Sequence, residues 1–317
     1  MTAVATRIGT RASDLARTQA GTVADALTAV GLACELVPMT SDGDKTRASL
    51  ASLGGTGVFA AGLRTALLDG RCDAVVHSLK DLPTTPHPGL TVVATPTRED
   101  PRDALCARDG LTLAELPAGA RIGTGSPRRA AQLRTRRPDV EVVDIRGNVG
   151  TRLSFVTGGE LDAVVLAAAG LHRLGLDDVV TEHLNLTDWP TAPGQGVLAV
   201  EIRHEDAARD QLPLMRALAT IHDDAAWVCA QAERSVLATL EAGCAAPVAA
   251  YAELDSAGST GTGNTLMLHA VAYRPGGGDQ VDHRISGAVV DGADAVALGA
   301  EAARHLLDAG ASAWIHD

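Results

Sequence analysis

The chain has 317 residues, more than one hydrophobic core usually spans, so two or three domains are expected. Hydrophobic residues make up 46% but aromatic ones only 2%, which leaves the cores to Ala, Val and Leu. A formal charge of −12 argues against a general nucleic-acid or anionic-membrane surface, so any anion site has to be local.

The opening MTAVATRIGT has no apolar signal region and no stretch reaches the length of a membrane span, so a cytoplasmic protein is expected. Five cysteines (Cys34, Cys72, Cys106, Cys229, Cys244) show neither a CxxC pair nor metal-ligand spacing, and no metal is expected. Lys45 and Lys80 are the only lysines among 27 basic residues, and the rest are arginines, the side chain suited to gripping carboxylates.

In chain order, ATRIGT predicts a strand, and Ser13 caps a helix that ends near Gly31. CELVPMT is a second strand, 41–57 a polar Gly-rich loop that should be mobile, VFAAGLRTALLDG a helix and CDAVVHS a third strand. Alternating strands and helices imply a largely parallel sheet. The same words then return: RIGT at Arg7–Thr10 recurs at Arg121–Thr124, and DAVV at Asp73–Val76 recurs at Asp162–Val165. Ser126 and Pro127 open a helix after the second RIGT as Ser13 does after the first. Two similar α/β domains follow from this. Beyond Pro190, Pro193 and Gly194, APGQGVLAVEI is a strand positioned to return to the first domain. From Asp223 a long helix, strands at PVAAYAEL, LMLHAVAY and VDHRISG, and a helix over Ala293–Ala309 make a smaller α+β domain. The boundaries read as 1–96 with 197–216, then 102–190, then 220–317.

Each RIGT–Ser–helix junction is a natural anion cradle, because helix N-termini present free N–H groups and positive partial charge. Arg11 flanks one junction and Arg128 with Arg129 the other. Between Arg121 and Arg152 stand eight arginines against Asp139, Glu141 and Asp144. Arg128, Arg129, Arg146 and Arg152, at loops and helix starts, read as ligand residues, whereas Arg134, Arg136 and Arg137 follow helical spacing and read as a solvated face. Lys80 and Asp81 sit just past the end of a strand, where open α/β sheets bind ligands, although Asp81 alone also fits an ordinary turn. Cys244 sits in a loop after a helix, open to reading as a reactive thiol or a small buried hydrophobe; the other four cysteines lie in strand or helix patterns and read as buried. GGTG at 54–57 lacks the ending of a phosphate loop, so no nucleotide site is expected. Read this way, the two-lobed chain could be a solute-binding module or a phosphate-ester enzyme as well as a transferase.

Taken in order, RIGTRAS, HSLKDLP, REDPRDAL, IGTGSPRR, RGNVGTR, LDAVVLAAAGLHRLG, APGQGVLAVE and EAGC resemble the porphobilinogen deaminase (hydroxymethylbilane synthase) family over essentially the whole chain. The resemblance implies two type II periplasmic-binding-protein-like domains around a cleft, plus a third domain with a cysteine. It implies a dipyrromethane cofactor on Cys244 through a thioether. Four porphobilinogens are then condensed on it with loss of four ammonia molecules, giving hydroxymethylbilane for porphyrin and heme biosynthesis. By matching positions, Asp81 is the catalytic carboxylate, stabilising the cation left by ammonia. Ser13, Lys80, Thr124, Ser126, Arg128, Arg129, Arg146 and Arg152 hold the cofactor and growing chain, and Arg11, Gln19, Asn148 and Arg173 serve the substrate. The enzyme is expected to be a monomer whose partner is porphobilinogen, without nucleic acid or membrane. It departs from the family at Ser52 and Thr56, where lysines are common, and at Ala242, where glycine is.

Overall fold

The computed structural model describes residues 5–39, 58–243, 245–255 and 264–315. The expected loop over 41–57, with Ser52 and Thr56, and the candidate anchor Cys244 lie outside them. The chain opens with β1 (Thr6–Arg11), α1 (Asp14–Ala29), β2 (Cys34–Met39), α2 (Val58–Leu68), β3 (Ala74–Ser78) and β4 (Leu90–Ala94). A single 3₁₀ turn, Leu79–Asp81, follows β3 directly. The next stretch holds β5 (Asp103–Ala107), β6 (Arg121–Gly123), α3 (Pro127–Arg136), β7 (Glu141–Val143), α4 (Val149–Thr157), β8 (Ala163–Ala167), α5 (Ala168–Arg173) and β9 (Glu182–His183). After a second crossover come β10 (Leu198–Arg203), α6 (His204–Ala207) and α7 (Pro213–Ile221).

Two five-stranded sheets result, ordered β2-β1-β3-β10-β4 and β7-β6-β8-β5-β9. In each, three parallel strands are followed by two that run antiparallel to a neighbour: β10 to β3 and β4, β5 to β8 and β9. The sheets are therefore more mixed than the expected largely parallel pattern. The first of the two in each case, β10 and β5, is the strand the chain delivers from the other sheet. The repeated words occupy equivalent places, RIGT in β1 and β6 and DAVV in β3 and β8. Their glycines do the same job. A methyl on Gly9 would sit 2.9 Å from the Cys72 Sγ, and one on Gly123 would sit 2.6 Å from Leu161. Only glycine lets the strand lie this close to its neighbour. Both sheets are cored by aliphatic side chains, Ile8, Val76 and Val200 in one and Leu105, Ile122 and Val165 in the other, as the scarcity of aromatics requires.

The third unit consists of α8 (Asp224–Thr239), an antiparallel meander of β11 (Val248–Asp255), β12 (Asn264–Tyr273) and β13 (Gln280–Val289), then α9 (Gly292–Asp308) and α10 (Ser312–Ile315). Asp223 caps α8 by accepting from the Ala226 N–H, and Asp291 caps α9 by accepting from Ala293 and Asp294. Leu240, Leu266, Leu268, Ala302 and Leu306 fill the space between the helices and the sheet. Among the described residues no helix is long and apolar enough to cross a membrane.

Candidate active site

Parallel strands β1 and β3 of the first sheet, and β6, β7 and β8 of the second, end in the segments that carry the candidate residues. Arg11 closes β1, and Ser13 stands at the N-cap of α1, its side chain making no capping bond. Buried Gln19, one turn into α1, donates to the Ser78 Oγ at 2.8 Å and so joins the two strand ends. Arg11, Gln19, His77, Ser78 and Asp81 line one pocket. His77 is fixed from below by Glu201 on β10, which also takes two bonds from Arg64. Burial opposes ionisation there, but His77 and Arg64 hold the Glu201 carboxyl down at about 2.

On the second sheet, Thr124 accepts from the Ser126 N–H, and Ser126 caps α3 by accepting from the Arg129 N–H. Asn148 caps α4, accepting from the Thr151 N–H at 2.8 Å. Arg152 donates to the Gly147 carbonyl, and Arg173 to that of Gly196 on the return crossover.

The sequence missed Asp103. Fully buried at the start of β5, it accepts from Arg128 at 2.7 Å, from the Arg129 Nε and Nη2 at 3.0 and 2.6 Å, from the Trp189 Nε1 and from the Gln195 Nε2. Burial pushes its carboxyl upward, but Arg128 and Arg129 outweigh this and hold it far below the usual range. One carboxylate thus neutralises one of two guanidinium charges, and a net positive charge remains at the mouth of α3. The only hint in the sequence is an acid opening the otherwise apolar strand DALCA. Arg134 and Arg136 are exposed and Arg137 half-buried, in keeping with a solvated face, and from it they donate to the carbonyls of Pro275, Asp188 and Leu116 respectively, lacing α3 to neighbouring segments.

Gln195 joins the two sides. Its Oε1 accepts from the Lys80 Nζ at 3.2 Å and from the Arg129 Nη2 at 3.3 Å, while its Nε2 donates to the Pro101 carbonyl. Burial, with Arg129 and Arg128 nearby, pulls the Lys80 ammonium down to about 8 against Asp81 and Asp103. Burial, Arg129 and Arg146 likewise pull Arg152 down to about 10 against Asp81 and Asp144. The Arg146 Nε is buried and makes no hydrogen bond. The other half of the Arg pair, Arg128, also has an unbonded buried Nε.

Behind this cluster, buried Glu233 on α8 takes both terminal nitrogens of Arg98 and the N–H groups of Gly194 and Ala252. Past α8, Glu241 adopts φ 51°, a left-handed turn that leads the chain out of the helix toward residue 244, and Ala242 is buried. The other cysteines sit inside: Cys72, Cys106 and Cys229 are buried and Cys34 half-buried, and burial raises all four thiols, to about 12 at Cys106 and Cys229.

A depressed lysine makes a direct prediction. The folded chain, free of bound anions, disfavours charged Lys80, whose ordinary value lies near 10.4. Between about pH 8 and 10.4 the unfolded chain binds the extra proton, so this group's penalty is complete below pH 8 and fades as the pH rises. Lys80→Met is therefore expected to melt higher than the wild type at pH 7, with the gap closing toward pH 10. Equal gaps at both pH values would remove the charge as the cause.

The fold and the site define a two-lobed α/β protein that gathers cations from both lobes around the exposed carboxylates of Asp81 and Asp144, an arrangement suited to a small polycarboxylate. Two family models match the chain. "Porphobilinogen deaminase, dipyromethane cofactor binding domain" matches residues 6–211, and "Porphobilinogen deaminase, C-terminal domain" matches residues 227–308. The porphobilinogen deaminase of Leifsonia xyli is 56% identical over 87% of this chain and 82% of its own. Porphobilinogen deaminase 1 of Streptomyces coelicolor is 51% identical over 98% of each. A periplasmic aliphatic sulphonate binding protein of Escherichia coli aligns at 14% identity, 75% of this chain and 70% of its own, with a TM-score of 0.40. The chain belongs to the porphobilinogen deaminase family, transferases of tetrapyrrole synthesis with a dipyrromethane cofactor.

Proposed function

We propose that the chain condenses four porphobilinogen molecules, with release of four ammonia, into hydroxymethylbilane on a dipyrromethane primer held through a thioether at Cys244. The observation that carries this reading is the charge at the strand ends. Lys80, Arg129, Arg146 and Arg152 act on one another there, with Asp81, Asp103 and Asp144 as the opposing charges. The unbonded, buried Arg146 Nε is a donor in want of an acceptor. A group bearing several carboxylates fits that donor set.

Bound dipyrromethane supplies the electron-rich pyrrole terminus at which elongation takes place. Ser13, Lys80, Thr124, Ser126, Arg128, Arg129, Arg146 and Arg152 hold its acetate and propionate groups. For Arg128 and Arg129 the support is charge rather than free donors, since Asp103 already engages both. Arg11 and Arg173, with Gln19 and Asn148, orient porphobilinogen. Asp81, exposed at the end of its turn, stabilises the cation that forms at the substrate's aminomethyl carbon as ammonia leaves, and moves the proton. In this reading the domains are 1–96 with 197–216, 102–190 and 220–317. In this reading the enzyme is a cytoplasmic monomer, and the charge of −12 argues against nucleic-acid or anionic-membrane partners.

The intact mass of the purified protein tests the covalent claim. It is expected to exceed the bare chain by two pyrrole units, and Cys244→Ser is expected to return the bare mass and no activity. An active wild-type protein of bare mass would falsify attachment at Cys244.

A further inference from the structure

The turn that presents Lys80 and Asp81 is gripped from behind by the third unit. Arg234 of α8 donates through Nη1 to the carbonyls of Leu79, at 3.1 Å, and Leu82, at 2.9 Å, and through Nη2 to that of Pro83, at 2.7 Å. Leu79 opens the 3₁₀ turn and Leu82 and Pro83 follow it, and no backbone N–H of the turn reaches these carbonyls except that of Leu82, which donates to Leu79. Leu79 and Leu82 are buried in one cluster with Ala230, and Trp227 packs against it. Trp227, Ala230 and Arg234 lie on one stripe of α8, so apolar contact seats the turn and the guanidinium fixes its orientation. The preceding residue, Glu233, holds both crossovers through Arg98 and Gly194. Two consecutive side chains of α8 thus fix the joint between the lobes and the turn at the end of β3.

We propose that Arg234 is a positioning residue for Asp81, setting the carboxylate relative to α8. The proposal rests on the reading of Asp81 given above. A planar donor fork that spans three carbonyls resists rotation of the turn, which one ammonium cannot do as well. A displacement of about 1 Å at a reacting group costs about 100-fold in rate, so a loosened turn should show in kcat, while the arginines that bind carboxylates stay in place.

The test uses the purified holoprotein and the variants R234Q, R234K and S235A. R234Q is expected to keep the wild-type intact mass and a KM within about twofold while kcat falls at least about tenfold, the mark of misplacement rather than lost binding. R234K should lose less. Independently of activity, the Leu82 amide, bonded to the Leu79 carbonyl, is expected to exchange its hydrogen faster in R234Q. Ser235→Ala removes a bond from the next residue of α8 to the Val296 carbonyl and touches nothing in the turn, so kcat should hold. Wild-type kcat and exchange in R234Q overturn the proposal, as does an equal kcat loss in S235A at a matching fall in melting temperature. Should R234Q not fold, R234K decides by the same two measures, with wild-type values in both counting against the proposal. A wild-type protein that leaves porphobilinogen unconsumed sinks the functional reading instead, and the exchange comparison still shows whether Arg234 holds the turn.

Discussion

Asp103→Asn is expected to cost the folded chain about 4 kcal/mol, because breaking a buried ion pair by removing one partner typically costs about 3–5 kcal/mol. Against a total stability of about 5–15 kcal/mol this is a large fraction. Five N–H donors converge on the two carboxylate oxygens: those of Arg129 and Gln195 on Oδ1, those of Arg128 and Trp189 on Oδ2. An amide has the same shape, but whichever way it is placed its NH₂ faces donors, and both buried guanidinium groups lose their counter-charge. The acid side carries a second signature. Since the folded carboxyl lies well below its unfolded value, its contribution is complete above about pH 4 and declines as the pH falls below that. Asp103→Asn should therefore unfold at lower denaturant at pH 7 and flatten the acid limb of stability. Denaturant titrations between pH 2 and pH 7 check both; a variant within about 1 kcal/mol of wild type would mean that the arginine pair does not depend on this carboxylate.

That Asp103 went unread while Lys80 and Asp81 were legible has a physical reason. Residues just past the carboxyl ends of parallel strands announce themselves, because a strand such as AVVHS opens as an apolar run and the first charges follow its end. The repeat of RIGT and DAVV worked likewise, since both words fill strands that pack closely, at Gly9 and Gly123, in matching places of two sheets. Asp103 meets its arginines across 25 and 26 residues of chain and Trp189 and Gln195 across 86 and 92, and no periodicity records such contacts. The same limit explains Arg134, Arg136 and Arg137. Helical spacing shows which face of α3 they occupy but not the carbonyls of Pro275, Asp188 and Leu116 that the fold brings to that face. The antiparallel run of β10 was hidden too, since a return strand carries the same apolar pattern in either direction.

Asp81→Asn is expected to lose about 100-fold or more in kcat with little change in KM, the size of effect seen when a preorganised group facing developing charge is removed. The carboxylate stands on a turn closed by the Leu82 N–H to Leu79 bond at 3.1 Å and fastened to the return crossover by the Leu79 N–H to Val197 bond at 3.0 Å, so its backbone is fixed at both ends. Around it lie Lys80 and Arg152, which, in this reading, hold carboxylates elsewhere in the cleft. Positive charge at the substrate's aminomethyl carbon appears only once ammonia has begun to leave. An anion that meets it then lowers the barrier without tightening the ground state, whereas the neutral amide offers only a dipole. Asp81→Glu keeps the charge and moves it by one methylene, so it should lose less, about 10-fold, than the asparagine variant, consistent with a geometric requirement. Because arginines dominate the holding of carboxylates, both variants are expected to carry the wild-type intact mass. Initial rates of hydroxymethylbilane formation over a range of porphobilinogen concentrations, taken with the mass of each variant, separate chemistry from binding. Near-normal kcat in Asp81→Asn would take this carboxylate out of the mechanism, and a raised KM at unchanged kcat would make it a binding group.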